Sequence, residues 1–387
     1  MTAWVDIPLA ALALVSVALT LWQWIEAGRF PLHRRHRPHE WAPALALLKP
    51  LKGADAETEG CLRSWFDQRY RGAVEWWFGV PSADDPAVAL VRRLMSEFPQ
   101  ADAHLVVCGE RQGFNAKVSQ LIRLQRESRH PLLVISDADV WVPPDLLEHL
   151  IAPLADAEVG VVNPLYQLAN PVTTAMRWEA LAVNADFWTG VLQSRRLGPM
   201  KFALGAAMAV RRSDLEAFGG FAALKDHLAD DFELGRRVVA LGRRVEISPV
   251  VVECRESPRG WRSIWRHQLR WSRTIRVCQP LPYAASLISN ATFWPLLWLM
   301  VSPGRIAAMG FTAALVVRCL TAFDNQRRLT RSSAHWPWIW LAPVKDLLQV
   351  ALWALAFLGN GVEWRGEWYR VKPTGELVPR TWPPSKR

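Results

Sequence analysis

The chain has 387 residues, of which 51% are hydrophobic and 21% charged, and its mean hydropathy of +0.03 is too high for an ordinary soluble enzyme. The 46 basic residues exceed the 36 acidic ones, and the net charge of +10 suits either nucleic acid or an anionic membrane surface. The 22 tryptophans favour the membrane, because tryptophan concentrates at the boundary between lipid and water. No zinc-finger or RNA-binding motif points to nucleic acid.

Five cysteines without a CxxC pair argue against a disulfide framework or a zinc site and are typical of a reducing compartment.

The first element is an apolar segment, Ile7–Ile25, that carries no charged residue. Its length predicts a membrane span. A cleaved signal peptide is the alternative, but the basic run "RFPLHRRHRPH" follows the segment from Arg29 instead of preceding it. The positive-inside rule then places the following residues in the cytoplasm. We therefore expect residues 1–28 to form a signal anchor.

Residues 29–252 alternate short apolar strands with helical patterns. This alternation predicts an α/β domain with a largely parallel sheet. The expected strands are Ala44–Leu48, Val74–Val80, His104–Cys108, Leu132–Ser136, Gly160–Asn163, Ala206–Val210 and Arg244–Ile247.

The fourth of these strands runs into a pair of acids, Asp137 and Asp139, within "PLLVISDADVWVPPDLL". Residues at i and i+2 of a strand point the same way, so both carboxylates would share one face. At the carboxyl edge of a parallel sheet they would lie where such sheets bind ligands, and Mg²⁺ or Mn²⁺ would relieve their repulsion. The alternative is an Asp-rich turn before a helix.

Further acids and lysines follow other strands. Lys49 and Lys52 in "LLKPLKG" are either solvated loop residues or substrate contacts. An Asp in "GVPSADDPA" can accept hydrogen bonds from a nucleobase, and Lys117 in "GFNAKVSQL" can reach a phosphate. In "LKDHLADDFELG", Asp230 or Asp231 either deprotonates an acceptor hydroxyl or only caps a helix.

Residues 253–279 are rich in Arg and Trp and predict an amphipathic helix at the bilayer surface. Trp261, Ile264 and Trp265 cluster on one side of it, and Leu269 continues the stripe.

Residues 280–362 contain three apolar blocks: Leu281–Val301, Ile306–Phe323 and Trp338–Leu358. The third contains Lys345 and Asp346, which are costly in lipid unless they are paired. Residues 363–387 form a basic tail. If this tail is cytoplasmic, the third block re-enters or lies flat, and the number of crossings stays open.

Taken in order, these motifs resemble the inverting GT-A glycosyltransferases of the processive and lipid type, and specifically the ceramide glucosyltransferase family. The resemblance rests on "LLKPLKG", "DDPA", "GFNAKV", the Asp137 motif, "LADD" at 228–231 and "HQLRW" at 267–271. It implies a GT-A domain, α/β with a Rossmann-like and mostly parallel sheet, with one N-terminal and about two to three C-terminal membrane helices.

The resemblance also implies roles for single residues. Asp85 matches the acid that contacts the uracil, Asp137 the acid at the metal and diphosphate, and Asp231 the catalytic base. Asp139 completes a DxD motif and adds a metal ligand. The other donor-site residues that it implies are Lys117, His267, Arg270 and Trp271, where His267 stands in place of the family's Gln or Arg.

The implied reaction is a single displacement in which a lipid hydroxyl attacks the anomeric carbon of a UDP-sugar with inversion. Three hypotheses remain open: a transfer of glucose from UDP-glucose to ceramide, a bacterial hopanoid-associated transfer from UDP-N-acetylglucosamine, and a lipid-binding membrane protein without turnover. The expected location is a bacterial inner membrane, with several spans and a cytoplasmic catalytic domain.

Overall fold

The computed structural model describes residues 3–37, 39–364 and 366–379. The first two residues of the expected signal anchor and residues 380–387 of the expected basic tail lie outside this described part. The strands are β1 (Leu45–Pro50), β2 (Val74–Val80), β3 (Asp102–Val107), β4 (Leu132–Ser136), β5 (Val140–Trp141), β6 (Val159–Leu168), β7 (Ala207–Arg211), β8 (Arg244–Cys254), β9 (Gly361–Trp364), β10 (Glu367–Val371) and β11 (Leu377–Pro379).

Eight of these strands form one sheet in the order β3-β2-β1-β4-β7-β6-β8-β5. Strands β1 to β4 pair in parallel, as do β6 and β8, whereas β7 and β5 run antiparallel to their neighbours. The sheet is therefore mostly parallel, as expected. The predicted bounds of β2 and β4 are correct, but β6 and β8 extend well past their predicted ends because their pairing continues through a bulge at Pro164 and Pro249. Both prolines resemble strand breakers in the sequence.

The helices cover both faces of the sheet and continue into the apolar C-terminal region. They are α1 (Ala3–Arg29), α2 (Thr58–Phe66), α3 (Ala87–Glu97), α4 (Ala116–Glu127), α5 (Leu146–Ile151), α6 (Thr174–Leu181), α7 (Trp188–Leu197), α8 (Arg212–Ala217), α9 (Asp230–Ala240), α10 (Trp261–Cys278), α11 (Pro280–Ala285), α12 (Phe293–Val301), α13 (Arg305–Thr330) and α14 (Leu341–Phe357). A π-helical turn, Ala182–Phe187, joins α6 to α7.

Strand β1 shows how the core is divided by the sheet. Its alternate residues face opposite sides, so Ala46 and Leu48 pack in one buried cluster while Leu45 and Leu47 pack in another. All six residues of the strand are buried, as is typical of a strand covered by helices on both faces.

Among the described residues, two helical segments are long and apolar enough to cross a membrane: Trp4–Arg29 and Arg305–Thr330. The segments Pro280–Ser289 and Phe293–Val301 meet at an angle of 57° and together form either a broken span or a re-entrant loop. Helices α12 and α13 both contact α1. Helix α14, which occupies the third predicted block, has 17 residues and packs against α6, α10 and α13.

Four charged side chains form a buried cluster between the π-helical turn and the apolar helices. Arg318 donates to Asp346 at 2.8 and 2.9 Å and to Asp186 at 2.8 Å. Lys345 pairs with both acids, and its Nζ lies 2.8 Å from Oδ1 of Asp346. The two adjacent charges that are costly in lipid are therefore paired inside the protein.

Helix α10 forms as predicted, but the surroundings of its apolar stripe differ from the expectation. Ile264 is buried against Trp178 of α6 and Leu352 of α14, and Trp265 and Leu269 pack on the same cluster. These three residues therefore contact protein. Trp261 of the same stripe is 46% exposed, and the placement of α10 at the bilayer surface stays a prediction.

The C-terminal residues form a further structure that the sequence did not indicate. Strands β9, β10 and β11 make a small antiparallel sheet within residues 361–364 and 366–379. The N–H of Leu377 donates to the carbonyl of Asp226 at 2.6 Å, and the N–H of Leu228 donates to Gly375 at 3.3 Å. The small sheet is thereby attached to the loop that precedes α9.

Candidate active site

Lys49 lies at the end of β1 and is completely buried. Its Nζ donates to the backbone carbonyl of Asp137 at 2.6 Å and to Oγ of Ser136 at 3.2 Å. Burial lowers the pKa of Lys49 to about 8, although the nearby acids Asp139 and Asp137 oppose this shift. Lys49 is therefore not a solvated loop lysine but fixes the backbone that carries the DAD motif. Lys52, three residues further, is exposed.

Lys117 joins the two acidic motifs of the sequence. Its Nζ lies 2.8 Å from Oδ1 of Asp137 and 3.1 Å from Oδ2 of Asp230. Burial works against the charge of this lysine, but the two carboxylates outweigh it and raise the pKa of Lys117 above its usual range. A buried, charged ammonium thus lies between the end of β4 and the start of α9.

Asn115 explains how Lys117 reaches this position. The residue caps α4, because its Oδ1 accepts the N–H of Val118 at 3.1 Å. Its Nδ2 donates to the carbonyl of His227 at 2.8 Å and to Oδ1 of Asp230 at 3.3 Å. The "GFNAKV" motif therefore fixes the start of α4 against the loop and helix that carry the second acid pair.

The DAD motif directly follows the carboxyl end of β4, as predicted, but β4 ends at Ser136 and Ala138 and Asp139 lie in a turn. The expectation that both acids share one face of a strand is therefore wrong. Burial raises the pKa of Asp139 to about 6, and the negative charge of Asp137 contributes to this rise. Within residues 3–37, 39–364 and 366–379, no group of three or more His, Cys, Asp or Glu side chains is placed to hold a metal ion. Two carboxylates nevertheless fit the way in which Mg²⁺ is held, by one or two protein carboxylates together with substrate phosphates. A cation there would also relieve the repulsion that raises the pKa of Asp139.

Asp231 occupies the first turn of α9. Burial raises its pKa to about 6, and the neighbouring charge of Asp230 adds to the shift, whereas Lys117 opposes it. Space beside the carboxylate depends on Gly205, because a Cβ atom at that position would lie 2.6 Å from Oδ2 of Asp231. Asp231 is therefore a confined carboxylate whose pKa suits proton transfer near neutral pH.

Asp85 follows β2 and is mostly buried. Its carboxylate accepts the N–H of Gly53 at 2.9 and 3.1 Å and the N–H of Ala87 at 2.9 Å. Gly53 has a positive φ of 73°, a conformation that favours glycine. Asp85 thus ties the loop after β1 to the loop after β2. The expected contact with a nucleobase stays a prediction.

His267 is oriented by Glu179, a residue that the sequence did not single out. Its Nδ1 lies 2.6 Å from Oε1 of Glu179, which also accepts from Gln268 at 2.9 Å, while Arg259 donates to Oε2 at 2.9 Å. Burial opposes the charge of Glu179, but the hydrogen bond and charge of His267 lower its pKa below the ordinary value. An ionised carboxylate can only accept, so Nδ1 donates and Nε2 is the ring nitrogen that can reach a ligand.

Aromatic rings connect this histidine to the acids. The ring of Trp271 lies 5.0 Å from that of His267 and 6.2 Å from that of Phe187, and Phe187 lies 5.6 Å from Tyr166. Burial raises the pKa of Tyr166, and the charges of Asp231, Asp137 and Glu179 contribute to this rise. Tyr166 thus extends the row of aromatic rings that begins at His267.

The structure brings most of the predicted residues into one region. Lys117 and Asp137 act electrostatically on both Asp139 and Asp231. Burial lowers the pKa of His267, and the positive charge of Arg270 lowers it further. The sequence missed Glu179, Tyr166 and Gly205, because each lies in a stretch with no distinctive motif.

A mostly parallel sheet with carboxylates at its carboxyl edge and a confined acid on α9 is the arrangement expected of a GT-A glycosyltransferase. The chain belongs to glycosyl transferase family 21, whose model matches residues 6–377. This match confirms the resemblance to the ceramide glucosyltransferase family.

Individual relatives are distant. Ceramide glucosyltransferase 3 of Caenorhabditis elegans is 21% identical over 362 residues, which are 91% of this chain and 78% of the relative. Ceramide glucosyltransferase 1 of the same organism is 24% identical over 220 residues, which are 57% and 47% of the two chains. Probable glycosyltransferase YdaM of Bacillus subtilis is 27% identical over 150 residues, 38% and 35% of the two chains. Among solved structures, the mannosyltransferase PcManGT from Pyrobaculum calidifontis, in complex with GDP-Man and Mn2+, has a TM-score of 0.49 at 22% identity and covers 88% of this chain and 98% of its own.

Proposed function

We propose that the protein transfers a sugar from a UDP-sugar to the hydroxyl of a membrane lipid with inversion, and that UDP-glucose and ceramide are the first substrates to test. The observation that supports this proposal most directly is the position of Lys117. It contacts both Asp137, on the diphosphate side, and Asp230, beside the candidate base. The diphosphate of the donor and the hydroxyl of the acceptor would then both lie near the buried ammonium of Lys117.

The proposed reaction assigns one task to each side chain. Asp231 takes the proton of the lipid hydroxyl, and the hydroxyl oxygen attacks the anomeric carbon as the bond to the diphosphate breaks. An attack from the face opposite the leaving group inverts the configuration. Lys117 and Arg270 stabilise the negative charge that develops on the departing UDP. Asp85 would contact the uracil, as in the family pattern.

Asp137 and Asp139 would hold a divalent cation, Mn²⁺ or Mg²⁺. When bound, such a cation supplies positive charge next to the diphosphate. In its absence the two carboxylates repel each other, in keeping with the raised pKa of Asp139. Lys49, which donates to the backbone carbonyl of Asp137, would keep the motif in place whether or not the cation is present.

A bacterial hopanoid-associated transfer from UDP-N-acetylglucosamine is the second candidate. Two residues that depart from the animal ceramide pattern favour it. They are Asp139, which completes the DxD motif, and His267. The reaction and the base would be the same in both candidates.

We also propose the arrangement in the membrane. The segment 1–28 would anchor the chain, residues 29–252 would form the catalytic domain on the cytoplasmic side, and the helix within 253–279 would lie at the membrane surface. The apolar segments of 280–362 would complete a multi-pass protein of a bacterial inner membrane. Two helices of sufficient length and apolarity support this arrangement.

The test is sugar transfer by the purified protein in detergent. UDP-glucose and UDP-N-acetylglucosamine are each offered to ceramide and to a hydroxylated hopanoid, with Mn²⁺, Mg²⁺ or a chelator. Glucosylceramide that disappears in Asp231→Asn supports the first candidate, and N-acetylglucosamine on the hopanoid alone supports the second. If UDP binds and all four pairs remain without product, the acceptor assignment is wrong.

A further inference from the structure

Most of the net positive charge lies in three segments that are distant in the sequence. They are residues 26–37, 193–201 and 324–331, which contain the C-terminal ends of α1, α7 and α13 and the residues that follow them. Together they hold ten lysines and arginines and only two acidic residues, whereas the whole chain has 46 basic and 36 acidic residues. The remainder of the chain is therefore nearly neutral.

Direct contacts bring the three helix ends together. Gln23 of α1 donates to Oε1 of Gln193 of α7 at 3.0 Å. The next residue of α1, Trp24, donates from Nε1 to Oδ2 of Asp324 of α13 at 2.7 Å. One turn further along α13, the guanidinium of Arg328 lies 5.2 Å from the centre of the Trp24 ring. The last turns of α1 therefore contact both other helices, and the three charged segments share one region of the surface.

The residues after α1 are fixed in the same region. Nε2 of His33 lies 3.0 Å from the carbonyl oxygen of Arg328, and the N–H of His33 donates to the carbonyl of Pro249 at 2.7 Å. Arg34 and Arg37 follow His33 directly and are exposed. These two arginines therefore extend from a point that is held against α13 and β8.

Five basic side chains of the three segments are exposed and have no ion-pair partner in the part of the chain that the structure describes. They form the basic surface: Arg34, Arg37, Arg196, Lys201 and Arg331. Other arginines nearby are paired, namely Arg29 with Glu26, Arg35 with Asp145 and Arg195 with Glu246. Positive charges that are gathered without acidic partners repel one another, and a bound anion relieves this repulsion.

Exposed apolar side chains border the basic surface. Leu197, next to Arg196, is 75% exposed. Trp336 is 54% exposed, and its ring lies 4.8 Å from that of Phe323, one turn before Arg327 of α13. Both helical segments that are long enough to cross a membrane end here, at Arg29 and Thr330. Because tryptophan and arginine at the ends of apolar helices are typical of the lipid head-group region, these neighbours favour a lipid over a soluble anion.

We propose that the basic surface binds the phosphate groups of anionic phospholipids such as phosphatidylglycerol. A guanidinium group donates two parallel hydrogen bonds to a phosphate, so arginine suits this ligand particularly well. The anionic lipid is a bound partner of the protein and not a substrate. This inference rests on the proposed arrangement in the membrane, but it does not depend on the proposed sugar transfer.

The first experiment uses the full chain, purified in a neutral detergent. Phosphatidylglycerol and phosphatidylcholine with the same acyl chains are titrated separately, and native mass spectrometry counts the bound lipids at low and at high ammonium acetate. At low salt we expect phosphatidylglycerol to bind at least about tenfold more tightly than phosphatidylcholine. This preference should decrease at high salt, because salt screens exposed charges. Equal affinities for the two lipids overturn the proposal.

The second experiment removes one charge from each segment in the variant Arg34→Gln/Arg196→Gln/Arg331→Gln. Each basic residue at an anionic surface contributes about fivefold to the affinity, so phosphatidylglycerol should bind about 100-fold more weakly. Binding of phosphatidylcholine should not change. An affinity for phosphatidylglycerol equal to that of the unmodified protein contradicts the assignment.

A matched control is Arg92→Gln/Arg126→Gln/Arg129→Gln, which changes three exposed arginines without ion-pair partners outside the three segments. It lowers the net charge by the same amount and should keep its affinity for phosphatidylglycerol. An equal loss in both variants overturns the assignment, because the affinity then follows the net charge alone. Thermal unfolding in detergent checks both variants. If either is unfolded, the comparison of the two lipids on the unmodified protein decides.

Failure of this proposal can be distinguished from failure of the proposed function. The titrations contain neither a UDP-sugar nor an acceptor lipid, so their outcome is independent of turnover. If sugar transfer proceeds while the two phospholipids bind equally well, only the assignment of the basic surface fails. If phosphatidylglycerol is preferred and no sugar is transferred, the basic surface stands and the proposed reaction fails.

Discussion

Nδ1 of His267 lies 2.6 Å from Oε1 of Glu179, and the residue Glu179 is 1% exposed. This bond sets the tautomer of the histidine that replaces the Gln or Arg of the family motif. Glu179 would act through His267, so we regard it as a positioning residue. It also accepts from Gln268 and pairs with Arg259, and it thereby connects α6, α10 and the loop between β8 and α10.

Glu179→Gln should lower kcat by about one to two orders of magnitude, because a hydrogen bond to a charged group contributes about 1.5–3 kcal/mol. Loss of the carboxylate charge also lowers the pKa of His267 further. Any limb of the pH profile that reports on this histidine should therefore move to lower pH, and His267→Gln should lack that limb. A purely structural role for Glu179 would reduce the amount of folded protein without moving the limb.

The pH dependence of kcat should follow Asp231. With a pKa of about 6, the carboxylate accepts a proton from the acceptor only above that pH, so the rate should fall as the pH drops through about 6. Asp230→Asn removes a neighbouring negative charge, and Lys117 then acts more strongly on Asp231. The limb should therefore move to lower pH. Profiles of kcat at saturating substrates test this, with Asp156→Asn on an exposed loop as the control. A limb that stays in place in Asp230→Asn contradicts the assignment.

Gly205→Ala should lower the rate of transfer by about 10- to 100-fold, because the new Cβ would be 2.6 Å from Oδ2 of Asp231 and must displace this carboxylate. Gly190→Ala is the matched control, since a Cβ there has no neighbour within 4 Å and the position is helical. The control should retain full activity and unfold at the same or a slightly higher temperature. If both variants are fully active, Asp231 is not confined by Gly205.

Arg318→Leu should reduce the free energy of unfolding by about 3–5 kcal/mol, because it leaves Asp346 and Asp186 to share one cation, Lys345. The double variant Arg318→Leu/Asp346→Leu restores the charge balance and should lose less than the single variant. Thermal unfolding in detergent compares the two, with Arg327→Leu on the exposed side of α13 as the control. A double variant less stable than the single one would contradict the view that the carboxylate left without Arg318 causes the loss.

The sequence predicts the sheet and the position of the acids well because both depend on local patterns. Strand β4 is a run of apolar residues that ends where the acids begin. Asp137 could therefore be placed at the sheet edge from the pattern of apolar residues alone. Lys117 could be assigned to the same site only through its motif. Its contacts with Asp137 and Asp230 depend on how α4 and α9 pack.

Other features could not be predicted because they depend on contacts between distant parts of the chain. Glu179 resembles any helical glutamate until α10 brings His267 to it. The apolar stripe with Ile264 has the pattern of a membrane-surface helix, but α6 and α14 provide an apolar surface of their own. Lys49 lies in a segment that the sequence allowed to be a solvated loop, yet its Nζ donates to the carbonyl of Asp137.

The small C-terminal sheet has a consequence for how the protein is made. The loop before Asp230 is hydrogen-bonded by Gly375 and Leu377, which the ribosome adds only after all the apolar segments. A nascent chain can fold the large sheet early, but the loop before α9 stays without these partners until β10 and β11 have been made. A chain stalled before β10 would therefore carry every acid of the candidate site without the sheet that holds their loop.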